Sequence, residues 1–131
     1  MSTTVLVIDD EPDIRLTARF MLESAGHEVI EAATGAESLP MLANARPDLV
    51  LLDIRLPDME GWEVMSNVRS SAGMGEVPVV IMSAHSSGDF RERAKQEGSD
   101  GYLVKPFREE ELLRTVDELV QNRNSSGPGD R

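Results

Sequence analysis

Short, fully apolar runs that alternate with segments of helical periodicity constrain the fold of this chain more than any other feature. The runs are Val5–Ile8, Leu49–Leu52, Val79–Met82 and Tyr102–Val104, with a weaker one at His27–Ala32. Strands that are apolar on both faces are typical of a parallel sheet covered by helices on both sides. Between the first two runs, Ile14, Ala18 and Leu22 recur at helical spacing. The pattern therefore predicts an α/β fold of five βα units, (βα)5, with a doubly wound, five-stranded parallel sheet.

Length and composition limit the classes of function. The 131 residues suffice for one domain with a single core. Asp and Glu outnumber Lys and Arg by 24 to 13, which argues against direct binding of this chain to nucleic acid or anionic membrane. The absence of cysteine excludes disulfides and thiolate chemistry. Neither a signal peptide nor an apolar run of ~20 residues is found, so we expect a cytoplasmic protein.

The last residues differ in composition from the rest of the chain. Residues 123–131, RNSSGPGDR, are polar and rich in Gly, Ser and Pro. Such a composition is typical of linkers. We therefore expect residues 1–122 to form the domain and residues 123–131 to be a flexible tail or the start of a linker.

Reactive side chains follow four of the five predicted strands. Asp9 and Asp10 follow the first, Asp53 the third, Ser83 the fourth and Lys105 the fifth. Ligands of open α/β sheets bind beyond the carboxyl ends of the strands, so these groups should meet there. Three converging carboxylates would repel one another unless a cation lay among them, and oxygen ligands without His or Cys favour Mg²⁺. A phosphate group could then approach, and a carboxylate could attack it to form an acyl phosphate.

Four motifs, VIDDEPD, LLDIRLPDMEG, VIMSA and GYLVKPF, together resemble the receiver domain of bacterial response regulators, which act in two-component signalling. The resemblance covers nearly the whole chain. It implies a flavodoxin-like fold, chemotaxis-receiver-like, with strand order 2-1-3-4-5.

The resemblance implies a role for each acid. Asp53 would be the phosphoacceptor. Asp10 and Asp53 would bind Mg²⁺ directly, Asp9 through a water molecule, and the backbone carbonyl of Arg55 would complete the protein ligands. Taken alone, Asp9 and Asp10 would be ordinary acids at the positive end of a helix dipole.

The resemblance also implies which residues recognise and report the phosphoryl group. Ser83 and Lys105 would bind its oxygens, and the peptide bond before Pro106 would be cis. Ser83 and Tyr102 would be the switch residues, with Tyr102 turning inward as the Ser83 hydroxyl moves. The alternative for Tyr102 is a simple half-buried aromatic residue.

Two further residues lie next to the expected site. Arg55 and His85 each lie two residues beyond a key position, where the resemblance implies tuning of how fast water reaches the acyl phosphate. The alternative is that both are solvated loop residues, and the sequence leaves the two readings open.

These assignments together predict a phosphorylation-activated switch that catalyses only its own aspartyl phosphorylation and dephosphorylation. A phosphohistidine of a sensor histidine kinase or a histidine phosphotransfer protein would supply the phosphoryl group. The surface of helix 4, strand 5 and helix 5 would pass the change to a downstream protein or output domain. The predicted fourth helix, Ser86–Glu97, has few apolar residues, which favours low local stability there. A phosphorylation-dependent homodimer is left open.

Other functions share parts of this pattern. A flavodoxin-like electron carrier would need a Ser/Thr/Gly-rich phosphate loop after the first strand, where DDEPD would repel a flavin phosphate. A small aspartyl-nucleophile phosphatase would use the same groups but usually carries a cap domain, for which 131 residues leave little room. A receiver-like adaptor that works unphosphorylated is disfavoured by the intact acidic set.

Overall fold

The computed structural model describes residues 3–71 and 73–125. Each predicted strand and helix is present in these residues. In chain order they are β1 (Thr4–Ile8), α1 (Pro12–Ser24), β2 (Glu28–Ala32), α2 (Gly35–Ala45), β3 (Leu49–Asp53), α3 (Gly61–Ser70), β4 (Val79–Ser83), α4 (Gly88–Gln96), β5 (Gly101–Val104) and α5 (Glu109–Ser125).

The five strands form one parallel sheet in the order β2-β1-β3-β4-β5. Both the predicted fold class and the predicted strand order are confirmed. In this register Ile8 lies opposite Leu52 of β3, and Ser83 lies opposite Val104 of β5. The residues that follow β1, β3, β4 and β5 therefore reach the same edge of the sheet.

Alternate side chains of the central strands enter two separate cores, which explains why these strands are apolar throughout. Val5 and Val7 pack with Ala18 and Leu22 of α1, in a core that also includes the buried face of α5. The neighbouring strand residues point to the other face, where they pack against α2, α3 and Ala94 of α4. The sheet is thus packed on both faces, and the residues at its carboxyl edge are positioned by both cores.

The last two helices differ from their predicted bounds. α4 is shorter than predicted, because Ser87 caps it by accepting a hydrogen bond from the Phe90 N–H. α5 continues to Ser125, three residues into the predicted tail. Residues 126–131 lie outside the described residues, so the flexible tail or linker there remains a prediction. Within the described part of the chain, no helix has the length and apolar character needed to cross a membrane.

Candidate functional site

Three carboxylates meet at the carboxyl edge of the sheet. Asp9 and Asp10 follow β1, and Asp53 is the last residue of β3. One carboxylate oxygen from each lies within 4.8 Å of the others. Asp9 is fully buried and Asp53 is 6% exposed, whereas Asp10 is exposed to solvent. The structure therefore brings together the three acids that the sequence singled out.

The ammonium group of Lys105, which follows β5, lies among these acids. Its Nζ is 2.7 Å from Asp9 Oδ2, 3.3 Å from Asp53 Oδ2 and 3.4 Å from Glu11 Oε1. Burial by itself would lower the pKa of Lys105, but the hydrogen bond to Asp9 and the charges of Asp53 and Asp9 outweigh it and raise the pKa. Lys105 thus remains fully charged and neutralises part of the cluster. The contact with Glu11 was not predicted, although Glu11 directly follows the two Asp residues.

The pKa of Asp53 stays raised despite Lys105. Burial raises the pKa of its carboxyl group, and the negative charge of Asp9 raises it further. The Arg55 backbone N–H, which donates to Asp53 Oδ1 at 3.1 Å, and the Lys105 ammonium lower it only in part. Asp9, Asp10 and Asp53 thus share the charge of one ammonium group, and a bound cation would offset the negative charge that remains.

The acids face a solvent-open cleft of about 320 Å³. The cleft is lined by Asp10, Glu11, Asp53, Arg55, Ala84, His85 and Lys105. Its size is sufficient for a hydrated ion or a small anionic group. Asp10 contributes an exposed carboxylate, so a metal that entered from solvent would meet it directly.

Ser83 and Tyr102, the two predicted switch residues, hold the same residue from opposite sides. The hydroxyl oxygen of Ser83, which is 4% exposed, accepts a hydrogen bond of 3.0 Å from the His85 N–H. The Tyr102 hydroxyl donates to the His85 carbonyl at 2.8 Å. The β4–α4 loop is thus fixed at His85 by both residues, and a movement of either would release one side of it.

The two predicted tuning residues contact each other across the cleft. Arg55 Nη2 lies 3.2 Å from His85 Nε2. Since a guanidinium can only donate, Nε2 of His85 is the acceptor. The imidazole also stacks on Phe90 of α4, with ring centroids 4.5 Å apart and planes inclined by 17°. Together, the Arg55–His85 contact and the His85–Phe90 stacking connect the loop after Asp53 with the first turn of α4.

Aromatic residues and arginines, rather than a broad apolar face, attach α4 to the rest of the domain. The Phe90 ring contacts Trp62 at 5.8 Å and Tyr102 at 6.2 Å between centroids. Arg91 lies over the Tyr102 ring at 4.8 Å, and Arg93 lies over the Trp62 ring at 4.7 Å. Ala94 is the buried residue of this helix. Sequence periodicity could not reveal this cluster, because its members belong to three different elements, α3, α4 and β5.

The loop after Asp53 is held by two further contacts that the sequence reading missed. A Cβ atom on Gly61 would lie 2.7 Å from the Asp53 carbonyl oxygen and 2.7 Å from Ile54 Cα, so α3 must begin with glycine there. The Asp58 carboxylate accepts the N–H groups of Gly35 and Ala36 at the start of α2, and these bonds lower its pKa. The LPDMEG segment therefore braces the loop against two helices.

The bond between Lys105 and Pro106 is cis, as the resemblance implied. It directly follows β5, where the Lys105 N–H donates to the Ser83 carbonyl at 2.8 Å. The end of β5 is thus joined to the end of β4 at the point where Lys105 leaves the sheet.

The fold and this arrangement match one protein family. The family model for the response regulator receiver domain matches residues 5–117. The chain belongs to this family and is a receiver domain of two-component response regulators. This membership decides between the receiver reading and the alternatives of an electron carrier or a phosphatase.

Individual relatives agree with the family assignment. The transcriptional regulatory protein KdpE of Mycobacterium tuberculosis is 39% identical over 124 residues, which cover 95% of this chain and 54% of the relative. The transcriptional regulatory protein PrrA of Mycobacterium leprae is 38% identical over 125 residues, covering 95% and 53%. The chain therefore spans about half the length of the curated relatives it matches.

Solved structures show the same fold. The chemotaxis response regulator CheY4 of Vibrio cholerae has a TM-score of 0.86 and 34% identity, covering 91% of this chain and 99% of that one. The receiver domain of the sensor histidine kinase PA1611 of Pseudomonas aeruginosa has a TM-score of 0.84 and 28% identity, covering 92% and 99%. That receiver domain was crystallised with a magnesium ion coordinated in its active site cleft.

Proposed function

We propose that this receiver domain accepts a phosphoryl group on Asp53 in a Mg²⁺-dependent reaction and acts as a phosphorylation-controlled switch. The observation that carries the proposal is the meeting of three carboxylates within 4.8 Å, with the Lys105 ammonium 3.3 Å from Asp53 Oδ2. A nucleophile, a set of metal ligands and a fixed positive charge are thus present at one edge of the sheet. Phosphoryl transfer requires mainly positioning and charge neutralisation, which these groups can supply.

The donor set fits Mg²⁺. Asp10 and Asp53 would bind the ion directly, together with the backbone carbonyl of Arg55, and Asp9 would bind it through water. Carboxylate and carbonyl oxygens are the ligands that Mg²⁺ prefers, and Asp9, Asp10 and Asp53 lie within reach of one ion. When bound, Mg²⁺ would neutralise the carboxylates and allow an anionic phosphoryl group to approach. The magnesium found in the PA1611 receiver domain supports this assignment.

The transfer would exchange one bond for another. A carboxylate oxygen of Asp53 attacks the phosphorus atom of a phosphohistidine, the P–O bond forms, and the P–N bond breaks. Its electron pair remains on the donor imidazole, which takes up a proton. Lys105 would pair with one phosphoryl oxygen, and the Ser83 hydroxyl would donate to another. Attack of water on the phosphorus atom would later break its bond to the Asp53 oxygen, which releases inorganic phosphate and restores the carboxylate. The chain would thus catalyse only its own modification and its reversal.

The contacts of His85 suggest how the signal would leave the site. If the Ser83 hydroxyl turns toward the phosphoryl group, the His85 N–H loses its acceptor. The loop would then be free to shift, and the Tyr102 hydroxyl, bound to the other side of His85, would move with it. Because α4 begins three residues after His85 and has little buried surface, the surface of α4, β5 and α5 would change. A downstream protein or an output domain would recognise this change.

The phosphoryl donor would be a phosphohistidine on a sensor histidine kinase or a histidine phosphotransfer protein. α1 begins directly after the acids and exposes Leu16 and Phe20, one helical turn apart, at 65% and 70%. Exposed apolar side chains of this size next to a reaction site favour docking of a protein partner. We also propose a cytoplasmic location, a receiver unit that extends to the end of α5 at Ser125, and a tail or the start of a linker at residues 126–131.

Intact-mass measurement tests the proposal. Incubation of the purified chain with acetyl phosphate and Mg²⁺ should add one phosphoryl group, and omission of Mg²⁺ should prevent the addition. Asp53→Asn should abolish it, whereas Asp58→Asn, a change of the same kind on the same loop, should leave it intact. Unchanged labelling of the Asp53→Asn protein would refute the assignment of the phosphoacceptor.

A further inference from the structure

We propose that Arg15 is a positioning residue that holds the acidic loop, Asp9 to Glu11, in the geometry that binds Mg²⁺. The inference rests on the proposed function of the site. Arg15 belongs to α1 and does not line the cleft. It would therefore act through the backbone of the loop rather than by contact with the ion.

The guanidinium of Arg15 joins the acidic loop to the neighbouring strand. Its Nη1 donates to the Asp9 carbonyl oxygen at 2.7 Å, and its Nε donates to Glu31 Oε1 at 3.0 Å. Glu31 belongs to β2, and the next residue, Ala32, accepts the Asp9 N–H at 3.1 Å. Asp9 is thus tied to the end of β2 on both sides of its α-carbon, by its own N–H and by Arg15.

The peptide group that Arg15 holds is the one that joins Asp9 to Asp10. The Asp9 side chain is fixed by the Glu11 N–H at 2.9 Å and by Lys105 at 2.7 Å. Within residues 3–71 and 73–125, we find no hydrogen bond to the Asp10 carboxylate, which is exposed to solvent. The direction of the Asp10 carboxylate therefore depends on the backbone. The hydrogen bond from Arg15 restrains the peptide group between Asp9 and Asp10.

The planar fork of arginine is what allows one side chain to bind two groups that lie in different directions. Lysine at this position would keep the positive charge, but a single ammonium on a flexible stem would not hold both partners rigidly. The charge matters because removing it would also strengthen the attraction of the acids for a cation. Arg15→Lys therefore tests the positioning without changing the net charge, which Arg15→Gln would not do.

Arg19 offers a matched control. It lies one turn further along α1, pairs with Glu31 Oε2 at 2.9 Å and donates to the Val29 carbonyl at 2.8 Å. It thus shares the helix and the carboxylate partner of Arg15, but among the described residues it makes no contact with the acidic loop. Arg19→Lys reproduces the same chemical change without the loss at Asp9.

Calorimetric titration of the metal-free chain with Mg²⁺ provides the first measurement. Loss of a residue that orients a metal ligand typically lowers affinity 10–100-fold, so Arg15→Lys should raise the Kd for Mg²⁺ by about tenfold and Arg19→Lys by less than about twofold. Amide hydrogen exchange without metal provides the second. Protection of the Glu11 N–H, which donates to Asp9, should fall in Arg15→Lys and not in Arg19→Lys.

Each outcome bears on the inference. Equal Mg²⁺ affinity in the two variants, together with unchanged protection of the Glu11 N–H, would overturn it. If the unaltered chain binds no Mg²⁺, the proposed metal site fails, while the exchange measurement still decides whether Arg15 holds the loop. If Arg15→Lys unfolds, Glu31→Gln replaces it and is read by hydrogen exchange alone, because it changes the net charge. Lower protection of the Glu11 N–H in a folded Glu31→Gln protein would support the inference, and unchanged protection would count against it.

Discussion

The Lys105 ammonium and the Asp9 carboxylate, 96 residues apart in the sequence, are joined at 2.7 Å. Lys105 also contacts Asp53, so one cation restrains two buried acids. The same lysine that would bind the phosphoryl group thus holds the acids together in the metal-free protein. Its role in holding the acids is tested separately from phosphoryl binding by measuring stability without a phosphoryl donor, with and without Mg²⁺.

Replacing Lys105 should destabilise the metal-free domain. Lys105→Met leaves the buried Asp9 carboxylate without its partner, so the free energy of unfolding should fall by about 2–4 kcal/mol, near the range for breaking a buried ion pair. Mg²⁺ should recover part of this loss. Urea unfolding with a chelator or with Mg²⁺ measures both effects, and Lys95→Met on the exposed face of α4 is the control. Equal stability of the two variants without metal would contradict the prediction.

Gly61 and Gly88 have different surroundings, so replacing each by alanine should have opposite effects on stability. Gly61→Ala should destabilise the domain by about 1–3 kcal/mol, because its Cβ would clash with main-chain atoms that cannot rotate away. It should also slow phosphorylation, since the clash displaces Asp53. A Cβ on Gly88 at the start of α4 meets no atom within 4 Å, so Gly88→Ala should maintain or raise stability. Thermal unfolding of both variants checks this; a Gly61→Ala protein as stable as the unaltered chain would show that the turn can yield.

The Asp58 bonds to the start of α2 predict a pH dependence with a definite sign. Because the Gly35 and Ala36 N–H groups lower the pKa of Asp58 below 3.8, its ionised form stabilises the fold above that pH. This stabilisation is lost as the pH falls through the lowered pKa. Asp58→Ala should therefore lower the melting temperature at neutral pH, and the difference from the unaltered chain should shrink in strong acid.

Asp58→Asn is the matched variant for this experiment. It keeps one acceptor oxygen but no charge, so its melting temperature should lie between those of the other two proteins. Below the lowered pKa it should differ little from the unaltered chain. A difference between Asp58→Ala and the unaltered chain that stays constant into strong acid would show that the ionised carboxylate is not the stabilising form.

The Arg55–His85 contact predicts an effect on the lifetime of the phosphorylated state. The two side chains lie across the cleft, so they would limit the access of water to an acyl phosphate on Asp53. His85→Ala should therefore accelerate loss of the phosphoryl group several-fold, and Phe90→Ala should do so to a smaller extent, because it removes the ring on which His85 stacks. The decay of the phosphorylated mass after removal of the donor measures the rate. Arg91→Ala, which removes a contact with Tyr102 and none with His85, is the control. Equal rates in all variants would show that His85 does not limit the access of water.

Local features of the sequence determined the elements and the residues at the edge of the sheet. Apolar runs and helical periodicity located the strands closely enough to place Asp9, Asp53, Ser83 and Lys105 at strand ends. The parallel arrangement followed, because strands that are apolar on both faces require helices on both sides. The strand order came from the family resemblance and not from the periodicity.

Tertiary structure alone decided which of these residues touch. The pairs Arg15–Asp9, Glu11–Lys105, Arg55–His85 and Asp58–Gly35 carry no mark in the sequence. Most of these contacts form between loops or between a loop and a helix end, where side-chain direction depends on how neighbouring elements pack and not on a repeating pattern. The sequence by itself thus determined that acids and a lysine gather at one edge of a parallel sheet. The packing of loops against helices decided how they are held, because the geometry of these polar contacts depends on elements that the two cores position.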